Sequence, residues 1–341
     1  VQLTEADHLY TPGYGFPDVG VTAPWDCRFY FGVRRAGVPE AYATPWGAVP
    51  AAGAAVAPEG LLGLGNALLD YATCRCGDPV DDATGNFSET ETDLTAGAGG
   101  TGGFPLAATR TYNALAADAD TGFGHGWSHG YGWSVDATTR PGVATVVAGN
   151  GARTDFYADG SGGFKAAAAV KARLEAVTGG GYRLTRQPHQ VLTFDDTGRL
   201  ISQSTVAGVS TTLTYAAGRL ATVTDAAGRR LTYSYGGDGH VSSLTGPGGR
   251  TVSYHYDTAG DLRSVDDATG HTMSMTYDTG HRMLTRTDPR SGVLRNTYDT
   301  AGRVSAQEDA GHHTTGWDYQ GGAAGASTTT VTDADGNRSV Y

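Results

Sequence analysis

Short stretches of alternating apolar and polar residues run through the second half of the chain. In one of the clearest, Leu231, Tyr233 and Tyr235 are separated by Thr and Ser. A period-two pattern over about five residues predicts a β-strand that packs one face and exposes the other. We therefore expect short strands here, each with an apolar face and a polar face of Thr, Ser and His.

These stretches recur with a regular period. Each ends in an aromatic residue that lies 20 or 21 residues after the previous one: Phe194, Tyr215, Tyr235, Tyr256, Tyr277, Tyr298 and Tyr319. Glycines mark a turn just after each aromatic, at Gly198, Gly218, Gly239, Gly260, Gly280 and Gly302, and a second turn at Gly228, Gly249, Gly270, Gly292 and Gly311. Two strands and two turns per period predict that each unit is a β-hairpin.

The turns have a consistent chemistry. In the stretches 256–260 and 298–302, Asp follows Tyr and Gly comes three residues after the Asp. An Asp side chain accepts hydrogen bonds from backbone amides just downstream, and Gly adopts positive φ without strain. We expect structural roles in these hairpins for Tyr215, Gly218, Arg219, Tyr235, Gly239, Tyr256, Asp257, Gly260, Tyr277, Asp278, Gly280, Tyr298, Asp299, Gly302, Arg303 and Tyr319.

The recurring signature, Tyr-Asp-x-x-Gly-Arg followed by Leu or Val, resembles the YD repeats of Rhs proteins, which have relatives in teneurins and in the C component of insecticidal toxin complexes. About seven units, over residues 190–341, carry the resemblance. It implies an all-β fold in which repeated hairpins spiral edge to edge into a large YD-repeat shell. We expect the shell to be incomplete within this chain, and an isolated hairpin needs a neighbour to be stable.

The chain upstream divides into three further parts. Residues 77–136, from Gly77-Asp78-Pro79-Val80 to Phe123-Gly124-His125-Gly126-Trp127-Ser128, are similar to the block that precedes the repeats in many bacterial Rhs and polymorphic toxin proteins. Residues 137–189 are predicted to be connecting β-hairpins, in which the Ala-rich stretch 164–175 is either helical or extended. Residues 1–76 are rich in Pro and Gly with a predicted helix at 61–71, and the resemblance implies that they plug the shell.

Composition and charge argue against two classes of protein, those that bind nucleic acids and those that span a membrane. The chain has 52 Gly, but its 18 Tyr, 9 Phe and 5 Trp supply the apolar area that a packed protein needs. A net charge of −11, with Lys only at positions 165 and 171, disfavours nucleic-acid binding, since phosphate contacts need clustered Lys and Arg. No stretch approaches the roughly 18 consecutive apolar residues of a membrane helix. We expect no nucleic-acid partner and no membrane span.

The three cysteines leave two interpretations open. In an exported protein Cys27 forms a disulfide with Cys74 or Cys76, and otherwise the thiols are buried and free. A zinc site is disfavoured, because structural zinc sites space paired cysteines by two to four residues and need two further ligands.

Two glycine-containing motifs have the wrong context for chemistry. Residues 97–102 match a dinucleotide-binding fingerprint, but Phe104 and Pro105 follow them where a helix would be required. Residues 126–130 spell Gly-x-Ser-x-Gly, but Ser128 lacks the preceding buried strand and the following helix of a serine hydrolase. We interpret the first as a loop and the second as a structural turn.

The histidines also favour structural roles. His125 and His129 are four residues apart but not on a helix, and His312 and His313 are adjacent. We interpret all four as turn or strand-surface residues. We expect no catalytic residue, no metal site and no cofactor.

The resemblance implies a non-enzymatic scaffold, part of an Rhs-type shell that encloses and helps deliver a C-terminal toxin or effector outside this chain. The family's aspartyl self-cleavage motif is not found in the sequence, which is why we expect no enzyme activity. The alternative is a carbohydrate-binding or adhesion module that stacks exposed tyrosines on cell-surface glycans. Either role implies a secreted or cell-surface location in a bacterium.

Overall fold

The computed structural model describes residues 80–96, 103–167, 170–186, 190–321 and 328–341. The predicted plug, the helix at 61–71, the cysteine pairing and the glycine-rich loop 97–102 lie outside the described residues. No helix in the described part of the chain is long and apolar enough to span a membrane.

The described residues form 24 strands and two short 3₁₀ helices, Ala114–Ala116 and Pro247–Gly249. The strands are β1 Ser88–Ala96, β2 Leu106–Asn113, β3 Trp127–His129, β4 Ser134–Arg140, β5 Val143–Val147, β6 Arg153–Ala158, β7 Gly163–Lys165, β8 Ala172–Ala176, β9 Tyr182–Arg186, β10 Gln190–Phe194, β11 Leu200–Thr205, β12 Ser210–Ala216, β13 Arg219–Thr224, β14 Arg230–Tyr235, β15 Val241–Thr245, β16 Thr251–Tyr256, β17 Leu262–Asp266, β18 Thr272–Tyr277, β19 Met283–Thr287, β20 Val293–Tyr298, β21 Val304–Glu308, β22 Thr314–Gln320, β23 Thr328–Thr332 and β24 Arg338–Val340.

Strands β4 to β24 form one antiparallel sheet of 21 strands in chain order, which confirms the all-β hairpin architecture. The sheet is not closed. Ser134, at the start of β4, forms a β-bridge with Arg199 in the turn between β10 and β11. The sheet therefore curls back until its first strand meets a later turn.

A second, three-stranded antiparallel sheet, β1–β2–β3, precedes the repeats along the chain. We call the described residues of 80–133 the front block. Strand β2 is buried along nearly its whole length, as expected for a strand packed on both faces.

The described residues of the Ala-rich stretch 164–175 form no helix. It contributes to β7 and β8, which pair with each other, and Phe164 and Leu174 are opposite in the register. Leu174 is fully buried. Burial of Leu174 and strand pairing on both sides hold the two ends of the stretch in the sheet.

A β-bulge recurs beside the repeat aromatic. The register shifts immediately before Phe194, Tyr215, Tyr235, Tyr256, Tyr277 and Tyr298. A bulge adds one residue on one strand, bends it and re-aims the adjacent side chain. The extra residue lies on the partner strand, as Ala221 of β13 does opposite Thr214 and Tyr215. The repeat tyrosine beside the bulge is half-buried, whereas the residue two positions earlier, such as Tyr233 or Tyr254, is buried in the sheet's apolar face.

Three of the predicted turn glycines are displaced from the position of positive φ. That position lies three residues after the turn Asp and is occupied by His281, Ser291 and His312 instead of the neighbouring Gly280, Gly292 and Gly311. The Asp side chain binds the amides two and four residues downstream in each case, as Asp278 binds Gly280 and Arg282. The carboxylate therefore sets the turn, and the glycine is not obligatory.

Candidate functional site

Each repeat tyrosine is linked to the preceding hairpin. Its hydroxyl donates a hydrogen bond to the backbone carbonyl of a residue fifteen positions earlier, at the first or second position of the preceding hairpin's second strand. The pairs are Tyr215 to Leu200, Tyr235 to Leu220, Tyr256 to Val241, Tyr277 to Leu262, Tyr298 to Met283 and Tyr319 to Val304, at 2.7 to 3.0 Å. We call this contact the tyrosine link.

The Asp and Arg of the signature add a second contact between neighbouring units. Arg303 forms an ion pair of 2.7 Å with Asp299, and its guanidinium lies 4.4 Å from the ring centre of Tyr319 in the next unit. Arg282 does the same with Asp278 and Tyr298, at 2.7 and 5.2 Å. The spacing of the Tyr-Asp-x-x-Gly-Arg signature thus reflects contacts between neighbouring units. Each cation–π contact contributes about 0.5–1 kcal/mol.

The departures from the signature are informative. His240 takes the place of Arg and stacks on Tyr256, with ring centres 4.5 Å apart. Asp261 takes that place in the next unit and bonds His281 instead. Arg219 lies over Tyr235 but has no Asp four residues before it, because its turn is one residue shorter.

The repeat tyrosines are not free phenols. Burial raises the pKa of Tyr215 to about 12, and burial also raises the pKa values of Tyr235, Tyr256, Tyr277, Tyr298 and Tyr319. Their hydroxyls are used in the tyrosine links, and four of the rings have an arginine over them. These rings are packing elements of the sheet.

The front block lies across the apolar face of the repeats. Trp127 donates from its indole nitrogen to the hydroxyl of Tyr277 at 2.9 Å. The hydroxyl of Tyr112 donates to the carbonyl of His281 and accepts from the amide of Met283, both at 2.8 Å. Tyr112 and Trp127 are almost fully buried, so the sheet's apolar face is covered at this point.

A buried ion pair anchors the same interface. The Arg110 Nε bonds Asp93 at 3.0 Å within the front block, and Tyr254 of the repeats donates to the same carboxylate at 2.8 Å. Arg110 also lies 4.4 Å from the ring centre of Trp127. Burial alone would lower the pKa of Arg110, but the charges of Asp93, Tyr254 and Glu91 and the hydrogen bond to Asp93 together outweigh burial and raise it. The guanidinium is therefore fully charged and paired inside the interface.

Three histidines gather where the loop 117–126 of the front block meets the repeat turns. His240 Nε2 lies 2.8 Å from Asp120, and His281 Nδ1 lies 2.9 Å from Asp261. The ring of His125 stacks on that of His281, with centres 3.7 Å apart and planes 14° apart. His125 was predicted to be a turn or strand-surface residue, but it belongs to this interface.

A cleft of about 460 Å³ opens beside this contact. One wall is front block, including His129, Tyr131 and Trp133, and the other is repeat turns, including Arg219 and His240. The hydroxyls of Tyr215 and Tyr235 on its floor are committed to tyrosine links.

The Gly-x-Ser-x-Gly motif forms strand β3 between two glycine turns, and no helix follows it. Ser128 Oγ donates to the carbonyl of Thr111 at 3.2 Å. His129, the last residue of β3, is partly buried against Phe123 and Tyr233, and burial lowers its pKa to about 4. His312 and His313 lie at a turn beside Glu308 and Asp309. In the described ranges, no three His, Cys, Asp or Glu side chains are arranged to hold a metal ion.

Sequence reasoning located the repeat turns but missed this interface. Asp93, Arg110 and Tyr254 are far apart along the chain, and nothing in their local sequence couples them. One signal was present: His240 and Asp261 replace the Arg of the signature in the units that receive the loop 117–126.

Two family models match the chain. A domain of unknown function, DUF6531, matches residues 77–156, and the teneurin YD-shell matches residues 182–329. No curated protein matches the chain.

Among solved structures, the chain is similar to TcdB2–TccC3 without its hypervariable C-terminal region, at 14% identity over 61% of this chain and 14% of that chain, with a TM-score of 0.35. It is also similar to the Tc holotoxin pore of Photorhabdus luminescens, at 12% identity over 74% of this chain and 18% of that chain, with a TM-score of 0.32. The chain thus spans less than a fifth of these structures.

Proposed function

We propose that this chain, which is an Rhs/YD-repeat protein, forms part of the wall of a β-shell that encloses a C-terminal effector polypeptide. The wall acts by exclusion: a continuous sheet keeps proteases and target molecules away from what lies behind it. We propose a structural role without catalysis, in a secreted or cell-surface protein of a bacterium.

One observation carries the proposal. The six tyrosine links join consecutive hairpins through the same side-chain contact, so the sheet from β11 to β22 is held by side chains and not only by its ladder hydrogen bonds. At about 1 kcal/mol for each link, the contacts together resist local opening of the wall.

The division of the two sheet faces supports the same role. The front block covers the aromatic face, while the other face carries Thr and Ser, such as Thr214 and Thr222, whose hydroxyls bond each other at 2.7 Å. Side chains paired in this way offer little apolar surface to a polypeptide next to the wall.

The glycan-binding alternative has less support. It needs tyrosine faces that are free to stack on sugar rings, but four repeat rings already have an arginine over them. Among the described residues, the cleft beside the front block offers space for a small ligand.

The test is protease protection in the complete gene product that contains this chain. We expect limited proteolysis to leave the C-terminal polypeptide intact inside an intact shell. We expect it to degrade that polypeptide once the wall is opened by Gly198→Ala, because the added Cβ would collide with the Val135 carbonyl. Degradation of the C-terminal polypeptide in the unmodified protein, at the rate of the same polypeptide made alone, would refute encapsulation.

A further inference from the structure

The front block is held on the repeats by a contact that depends on protonation. We propose that the stacked rings of His125 and His281 are an acid-sensitive latch, which holds the loop 117–126 on the repeat turns at neutral pH and loosens it when both rings are protonated. This inference concerns the contact between front block and repeats, and it does not depend on what the shell encloses.

The geometry of the stack accommodates one protonated ring but not two. The ring centres are 3.7 Å apart and nearly parallel, so two imidazolium ions would face each other with no room for solvent between them. Asp261 is the carboxylate in contact with the pair, at 2.9 Å from His281 Nδ1, and it compensates one positive charge. The side chains of Asp261 and His281 are 4% and 27% exposed, so solvent screens the repulsion between the rings only in part. Histidine is the side chain that changes charge between pH 5 and 8.

The loop that carries His125 fits closely against the repeat turn, so a small displacement of the ring affects the whole loop. Gly124 and Gly126 flank His125, and a Cβ at either would lie within 3 Å of Gly260 O and of the Tyr112 ring, respectively. The loop therefore fits closely against the repeat turn, and it cannot accommodate a ring that moves away from its partner without shifting as a whole.

Other titratable groups surround the stack, and protonation of some of them strengthens the contact between the loop and the repeat turns while protonation of others weakens it. They are Asp257 and Asp261 on the β16–β17 turn, Asp278 with Arg282 on the β18–β19 turn, Tyr112 on β2, Asp120 in the loop itself, and Asp238 with His240 on the β14–β15 turn. Burial raises the pKa of Asp261, so its compensating charge is lost at a higher pH than that of an ordinary carboxyl.

His240 acts in the opposite direction to the latch. Burial lowers its pKa, but hydrogen bonds to Asp120 and Asp238 outweigh burial and raise it. Its contact with Asp120 is therefore strongest in acid and weakens as the pH rises through the raised pKa. His129 is destabilising in acid, because burial lowers its pKa to about 4. A test of the latch must separate the stack from both.

The test compares amide hydrogen exchange at pH 7.5 and pH 5.5, corrected for the intrinsic rates, in the unmodified chain and in His125→Phe. The reporting amides are those of Trp127 and Met283, which bond the Gly124 carbonyl and the Tyr112 hydroxyl, respectively. Phe keeps a ring over His281 but cannot be charged. His129 and His240 remain in both proteins, so the difference measures the stack.

We expect exchange at these amides to accelerate at least tenfold on acidification of the unmodified chain, while the ladder amides of Leu231 and Val252 stay protected. In His125→Phe the acceleration should fall at least fivefold. His255→Gln, at a half-exposed histidine that is paired with Asp266 and lies outside the stack, should behave as the unmodified chain does.

An equal acceleration in His125→Phe and the unmodified chain would overturn the latch, as would its absence in the unmodified chain. If His125→Phe does not fold, His281→Asn provides the same test, because Asn tolerates the φ of 61° at that position.

Discussion

At the scale of single residues, the contribution of the tyrosine link can be judged within the chain itself, because one repeat has a phenylalanine at the tyrosine position. Phe194 occupies the first aromatic position and has no hydroxyl, yet its hairpin pairs on both sides. The hydroxyl therefore adds stability to a unit that the ladder and the aromatic ring already define.

Tyr215→Phe tests the energy of one link. The substitution removes the hydrogen bond to the Leu200 carbonyl and keeps the ring under Arg199, so we expect the free energy of unfolding in urea to fall by about 1 kcal/mol. Tyr157→Phe is the control, because Tyr157 is 57% exposed. Equal stability of the two variants would contradict the assignment.

The buried Asp93–Arg110 pair should behave differently from a surface pair. Asp93→Asn leaves the Arg110 charge buried without a counter-charge, and we expect a loss of about 3–5 kcal/mol in unfolding free energy. Glu175→Gln, which breaks the exposed pair with Arg173, should cost less than about 1 kcal/mol. The interpretation fails if the two losses, measured by the same denaturant titration, are alike.

At the scale of elements, the curl of the large sheet depends on one close backbone approach. The Val135 amide bonds the Gly198 carbonyl at 2.8 Å, and the Leu200 amide bonds the Trp133 carbonyl at 3.3 Å. A Cβ on Gly198 would collide with the Val135 carbonyl. The glycine is required here for space as well as for its φ of 81°.

Gly198→Ala and Gly228→Ala separate these two requirements. Both glycines have nearly the same φ, 81° and 78°, but a Cβ at Gly228 meets nothing within 4 Å. We expect Gly228→Ala to cost about 1–2 kcal/mol from backbone strain alone, and Gly198→Ala to cost more. Amide exchange at Val135 and Leu200 should accelerate only in Gly198→Ala. Protection of both amides in that variant would show that β4 does not need the close approach.

At the scale of the whole molecule, the repeated turn carboxylates predict how the sheet responds to acid. Burial raises the pKa values of Asp195, Asp225, Asp278 and Asp299, but hydrogen bonds and the neighbouring Arg outweigh burial and lower them. The hydrogen bond from Thr269 and the His271 amide lower the pKa of Asp267 to about 2. A carboxyl with a lowered pKa stabilises the fold above its unfolded pKa of about 3.9 and loses that contribution as the pH falls.

We therefore expect the urea midpoint to fall steeply between pH 4.5 and pH 2. Asp267→Asn should make this dependence shallower, because one proton fewer is taken up on unfolding. Asp335→Asn is the control, since among the described residues its side chain accepts no hydrogen bond. An unchanged slope in Asp267→Asn would show that its turn does not contribute to acid sensitivity.

Sequence reasoning anticipated the hairpins because every signal for them is local. Period-two alternation, an Asp followed by a residue at positive φ, and an aromatic every 20 or 21 residues act over a few positions and repeat. It left the stretch 164–175 undecided, since the pairing of its two ends with each other and with the neighbouring strands β6 and β9 is not visible in its composition. It placed Gly280 at positive φ, although the Asp278 carboxylate moves that role to His281.

The sequence by itself determined that this is an all-β chain of YD-type hairpins, because the repeated turn and aromatic positions specify each unit independently of the rest. Only the tertiary structure decided that the front block covers the aromatic face of the repeats. Many of its contacts join residues more than 100 positions apart, as in Trp127 with Tyr277 and Tyr254 with Asp93. Such pairs leave no local pattern, since each side chain is an ordinary Trp, Tyr or Asp until the fold brings its partner to it.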